Sequence, residues 1–97
     1  MAVIEKKENE GVVECLIDST NILMSEYNET NGSLIITFKA GTRYQYHDVL
    51  KRDYVRFEIS ESQGSIFNKT MKGYKYDKID SVDVKPIKER INELKKQ

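Results

Sequence analysis

The segment Asn68–Lys78, NKTMKGYKYDK, sets lysines at 69, 72, 75 and 78, one every three residues. Only Asp77 opposes them, and Tyr74 and Tyr76 are interleaved. Ammonium groups for phosphates and rings for base stacking are the pairing by which proteins hold single-stranded nucleic acid. Arg43, Gln45 and Lys51 would extend such a surface. The same composition equally suits an ordinary soluble face, with the tyrosines completing a sheet and the lysines solvating it.

Other reactive side chains point away from catalysis. His47, the single histidine, adjoins Asp48, but adjacent residues of a strand face opposite sides. Cys15, the single cysteine, lies in the apolar run VVECLI, where a thiol is buried and inert. One cysteine excludes an internal disulfide and a cysteine-based zinc site. There is no phosphate-binding glycine loop and no His/Cys spacing for a metal. The expectation is a non-enzymatic protein with no catalytic residues, metal or cofactor.

Ninety-seven residues suit one small domain, and 33% charged residues give it a soluble surface. No apolar run approaches the roughly 20 residues that span a bilayer. The opening MAVIEKKENEGVV is too polar for a signal-peptide core, so a cytoplasmic location is expected. Net charge is zero but uneven, −5 over residues 1–38 and +5 over 39–97. A dedicated nucleic-acid binder is usually basic throughout.

The elements that must position these groups follow from periodicity. Residues 1–10 are charged and expected to be flexible. VVECLI (Val12–Ile17) fits an edge strand, and NILMSEY (Asn21–Tyr27), SLIITF (Ser33–Phe38) and TRYQYH (Thr42–His47) fit an antiparallel meander. The Lys39-Ala40-Gly41 loop sets the last register. A two-residue turn would force Ala40 to positive φ, whereas a three-residue loop puts Gly41 at the left-handed position. Ile36 then faces Tyr44 and Leu34 faces Tyr46, so both rings join the core face. Leu50, Tyr54 and Phe57 step i, i+4, i+7 along a helix over Lys51–Ser60, with Val55 and Ile59 widening its apolar side. The tail opens on Pro86, suited to a first helical turn. Its Ile87, Ile91 and Leu94 form a stripe too short to hold a helix unaided. The domain, a second copy of the chain in a homodimer, or another protein must cover it. The reading is an α+β fold, with a three- to four-stranded antiparallel sheet on one helix over residues 11–80 and an amphipathic helical extension over 81–97.

Taken in order, these features resemble the KTSC domain, named for its occurrence at the C-terminus of some lysyl-tRNA synthetases. The matching positions are STNI (Ser19–Ile22), Tyr27, the Leu34/Ile36/Phe38 strand, Gly41, Tyr44-Gln45-Tyr46, Val49, Tyr54, Phe57, SQGSIFN (Ser62–Asn68) and Gly73-Tyr74-Lys75-Tyr76. The chain departs from the pattern at Leu50, where proline is common, and at Asp53, where an apolar residue is common. Gln63 and Ile66 stand where lysine and an aromatic are frequent. The resemblance implies a small α+β domain, for which RNA binding has been suggested. Two functions are therefore expected of this chain. One is a protein-interaction domain modulating a partner, with Ile87, Ile91 and Leu94 as the contact. The other is an RNA-binding accessory using the lysine and tyrosine set.

Overall fold

The computed structural model describes residues 3–60, 67, 69–71 and 73–96. Six strands run in chain order across one antiparallel sheet: β1 (Val3–Asn9), β2 (Val12–Ile17), β3 (Ile22–Asn28), β4 (Ser33–Phe38), β5 (Thr42–Tyr46) and β6 (Tyr76–Ser81). Helix α1 (Lys51–Ile59) follows β5, and α2 (Lys85–Lys95) closes the chain.

The sheet thus has six strands rather than three to four. Both additions are strands that hydrophobic periodicity cannot reveal. β1, VIEKKEN, is charged on both faces, and every residue of β6, YDKIDS, is exposed. Pairing makes them strands: β1 joins β2 through a turn in which Glu10 and Gly11 both have positive φ (51° and 82°). That geometry matches the strand twist in a two-residue hairpin. The N-terminal segment expected to be flexible is therefore paired along Val3–Asn9. β2 becomes an interior strand rather than an edge.

The β4–β5 register is the one expected, with Ile36 opposite Tyr44 and Leu34 opposite Tyr46. Gly41 has φ +95°, and its N–H donates to the Phe38 carbonyl at 2.9 Å. A Cβ there would also meet the Val82 carbonyl oxygen at 2.5 Å, so steric crowding adds to the conformational demand for glycine.

One face of the sheet, here the front, carries the core. Val13, Cys15, Ile17, Tyr27, Leu34 and Ile36 pack beneath Tyr54 and Phe57 of α1. Tyr27 and Tyr54 stack at 4.2 Å with planes 7° apart, and the Tyr27 hydroxyl donates to the Val49 carbonyl at 2.7 Å. That bond satisfies one of the two hydroxyls that the stack buries, and the Tyr54 hydroxyl donates to Glu58. Only Tyr54 and Phe57 of α1 are buried. Leu50, Val55 and Ile59, expected on the same apolar side, are 50%, 38% and 58% exposed, because so short a helix turns only a narrow stripe toward the sheet.

On the back face α2 lies across one end of the sheet. Ile91 is buried, and Ile87 and Leu94 are half-buried. Arg90 reaches Glu5 of β1 at 3.0 Å, and Lys95 reaches Asp18 at 3.3 Å. The stripe that cannot sustain a helix in water is covered by the chain's own sheet.

Candidate functional site

β5 and β6 bring the two Tyr-x-Tyr motifs together. Tyr46 pairs directly with Tyr76, and Tyr44 with Lys78. Paired residues share a face, so Tyr44, Tyr46, Tyr76 and Lys78 all lie on the front. The rings form a connected series. Phe57, fully buried, meets Phe67 edge-on at 6.1 Å; Phe67 meets Tyr46 at 5.2 Å; Tyr46 stacks on Tyr76 at 5.3 Å. Tyr44 sits edge-on to Phe38 and to Tyr76, at 5.8 and 5.6 Å. The first three rings of the series, Phe57, Phe67 and Tyr46, are buried, and Tyr76 at its end is 58% exposed. Burial pushes the Tyr46 hydroxyl up to about 12, with smaller contributions from Tyr76 and Tyr44.

The strand sorts its charges. Asp77 and Asp80, paired with Gln45 and Arg43, lie on the back face. There Asp77 bonds His47 at 2.7 Å, and Asp80 holds Arg43 at 3.0 Å. Arg43 also reaches Glu26 at 3.4 Å. Burial pushes the Glu26 carboxyl up, with Arg43 opposing. Lys75 and Lys78 are exposed and have no ion pair among the described residues. Lys78 therefore puts a cation on the aromatic side of β6, while Lys75 precedes the strand opposite His47.

Not all the residues expected to act together do so. Arg43 and Gln45 point to the back, where Gln45 donates to Ser33 Oγ at 2.8 Å. Lys51, at the start of α1, pairs with Glu29 at 3.3 Å. The Tyr74 hydroxyl donates to Asp53 and accepts the Leu50 N–H at 3.2 Å. Leu50 has no side-chain cap of its own for α1, so the Tyr74 hydroxyl anchors the helix start. Lys69 is exposed on the segment before Tyr74. Lys72, Asn68 and the SQGSI part of the SQGSIFN motif lie outside the described residues. What remains together on the front is Tyr44, Tyr46, Tyr76 and Lys78, with Lys75 adjoining Tyr76 in sequence. Ile79, 40% exposed, is the unpaired residue of a bulge between Lys78 and Asp80 on the same strand. Sequence reasoning missed it because β6 itself was not legible as a strand.

The nearest approach to reactive chemistry is in the core. Tyr54 donates to Glu58 Oε1 at 2.9 Å, Cys15 Sγ lies 3.5 Å from the Tyr54 hydroxyl, and Lys6 bonds Glu58 at 3.1 Å. Burial pushes the Cys15 thiol up, and burial also drives the Tyr54 hydroxyl strongly upward. Cys15 packs between the sheet and α1, an environment that favours the protonated thiol. Among the described residues no group of three or more His, Cys, Asp or Glu is placed to hold a metal ion. No described helix is long and apolar enough to cross a membrane.

A six-stranded antiparallel sheet with α1 on its core face and a tyrosine-rich last strand pair defines a small α+β domain class. The family model of the KTSC domain matches residues 18–76, and the chain belongs to that family. The solved structure of a KTSC domain protein from Yersinia pestis is similar, with a TM-score of 0.64 at 27% identity, covering 78% of this chain and 97% of that one. No curated protein matches the chain significantly. The matched segment runs from Asp18 to Tyr76, so β1, β2, nearly all of β6 and the whole of α2 lie outside it.

Proposed function

We propose that this chain is a non-enzymatic protein-interaction domain that docks an extended segment of a partner along the outer edge of β6. The observation carrying this is the strand itself. All six of its residues are exposed, Tyr76 and Ile79 among them, and no strand lies beyond it among the described residues. An outer strand presents unpaired N–H and C=O groups that an incoming strand can bond, while pockets for alternate side chains supply selectivity. Exposed Lys75 and Lys78 favour a partner segment in which apolar or aromatic residues alternate with acidic ones. Such a domain would modulate its partner by occupancy, without catalysis.

Capture from cell extract tests this, using the wild-type chain and a Tyr76→Ala/Ile79→Lys variant. A partner protein that survives nuclease treatment and is lost with the variant is the expected result. Retention by the variant would remove β6 from the account.

RNA binding has one specific observation in its favour, the solvent-facing stack of Tyr76 on Tyr46 beside Lys75 and Lys78. Its track is short, because Arg43 and Gln45 face away and Lys51 is paired. On that reading capture would be nuclease-sensitive and weaken steeply with salt, as phosphate contacts do.

A further inference from the structure

Two depressions border α2 where it crosses the back of the sheet. The larger, about 380 Å³, has Leu16, Met24 and Ile87 in its lining, with Glu5, Lys7 and Arg90 around them. Those charges answer one another: Arg90 bonds Glu5 at 3.0 Å and Lys7 pairs with Glu5 at 3.6 Å. Little field is left there for a charged ligand.

The smaller, about 280 Å³, differs in this respect. Ile17, Leu23 and Ile91, all buried, form its apolar floor, and Lys39, Lys88 and Lys95 stand in its lining. They come from the β4–β5 loop and from two separate turns of α2. The single carboxylate in the lining, Asp18, holds Lys95 at 3.3 Å. Lys39 and Lys88 have no acidic partner among the described residues. Ser19 and Asn92 add neutral hydrogen-bonding groups. The loop is set in place by the Lys39 N–H, which donates to the Asn21 carbonyl at 2.8 Å.

We propose that this pocket binds a small phosphate monoester. The doubly charged head sits between Lys39 and Lys88, and its organic group rests on Leu23 and Ile91. Two unneutralised ammonium groups match a dianion better than a carboxylate, and lysine binds phosphate as a compact point charge. The volume lies just below the roughly 300–1,000 Å³ typical of ligand pockets, which selects a small molecule over a polymer. Lys88, Ile91, Asn92 and Lys95 all lie beyond the segment matched by the KTSC family model. The C-terminal helix thus gives this chain a binding function separate from the β6 edge, and either can fail without the other.

Phenyl phosphate is the probe, titrated into the isotope-labelled full chain and followed by amide shifts. The expected result is saturable shifts confined to Ser19, Leu23, Lys39, Lys88 and their neighbours. Lys39→Gln and Lys88→Gln should each weaken binding about tenfold or more, as loss of a charge-assisted hydrogen bond does, while Lys69→Gln leaves it unchanged. Inorganic phosphate should bind the same residues more weakly, since it leaves the apolar lining unused. Equal binding of phenol, absence of saturation at millimolar probe, or shifts centred on Lys75 and Lys78 would each overturn the proposal. Unaltered melting temperatures of both variants keep loss of binding distinct from loss of fold.

Discussion

Tyr44 and Tyr46 on β5 and Tyr74 and Tyr76 at the entry to β6 share the same spacing, yet the two pairs are used differently. On β5 both rings point to the core face: Tyr46 is buried between Phe67 and Tyr76, and Tyr44 is half-buried against Phe38. On the second pair the residues divide. Tyr74 lies before the strand begins and turns its hydroxyl to Asp53 and Leu50. Tyr76 enters the strand, lands on Tyr46 and stays 58% exposed. An interior strand with a helix over it buries its alternate residues, whereas an outer strand beyond the reach of that helix offers them to solvent. Distance from the sheet edge, rather than the motif, decides what each ring does.

Four substitutions sharpen this contrast, beginning with the most buried ring. Tyr46→Ala should lower unfolding free energy by about 3 kcal/mol or more, as large aromatic truncations in cores do. Urea denaturation measures it, and a loss below about 1 kcal/mol would place Tyr46 outside the core. Its hydroxyl provides a second check. Because the folded-state value is raised to about 12 from an ordinary 10, the neutral form is favoured in the fold. The associated stability is complete below pH 10 and is lost as pH rises toward 12. Over that window the wild-type chain should lose about 2–3 kcal/mol more than Tyr46→Phe, which has no proton to release.

Tyr74→Phe keeps the ring and removes both hydrogen bonds, so a loss of about 1–2 kcal/mol is expected. Faster amide exchange should appear in the first turn of α1. No change there would mean that Tyr74 does not anchor the helix. Tyr76→Ala should cost less than about 1 kcal/mol, since most of that ring already faces water. Its effect should fall on partner capture instead.

The Lys39-Ala40-Gly41 loop made the central hairpin legible, because only one loop length let glycine take the left-handed position, and register follows from loop length. The tail stripe was legible as a helix face, but nothing in Ile87, Ile91 and Leu94 says which surface covers them. β1 and β6 were illegible for a physical reason. An outer strand is held by backbone pairing, and its side chains need not alternate in polarity. The Glu10-Gly11 turn was the one local sign of β1. The site inherits these gaps: Lys75, Tyr76 and Lys78 stood out by type and spacing, while Arg43, Gln45 and Lys51 joined them only until strand faces and ion partners were known. The place of Tyr74 at the helix start was illegible because its partners lie more than twenty residues away in sequence.

Hydrogen exchange across Tyr76–Ser81, with and without the captured partner, addresses the β6 edge most directly. The outward-facing amides of β6 should exchange readily in the isolated chain and become protected in the complex, with β1 unchanged. Protection gained at α1 or around α2 while β6 exchanges as before would contradict docking at that edge.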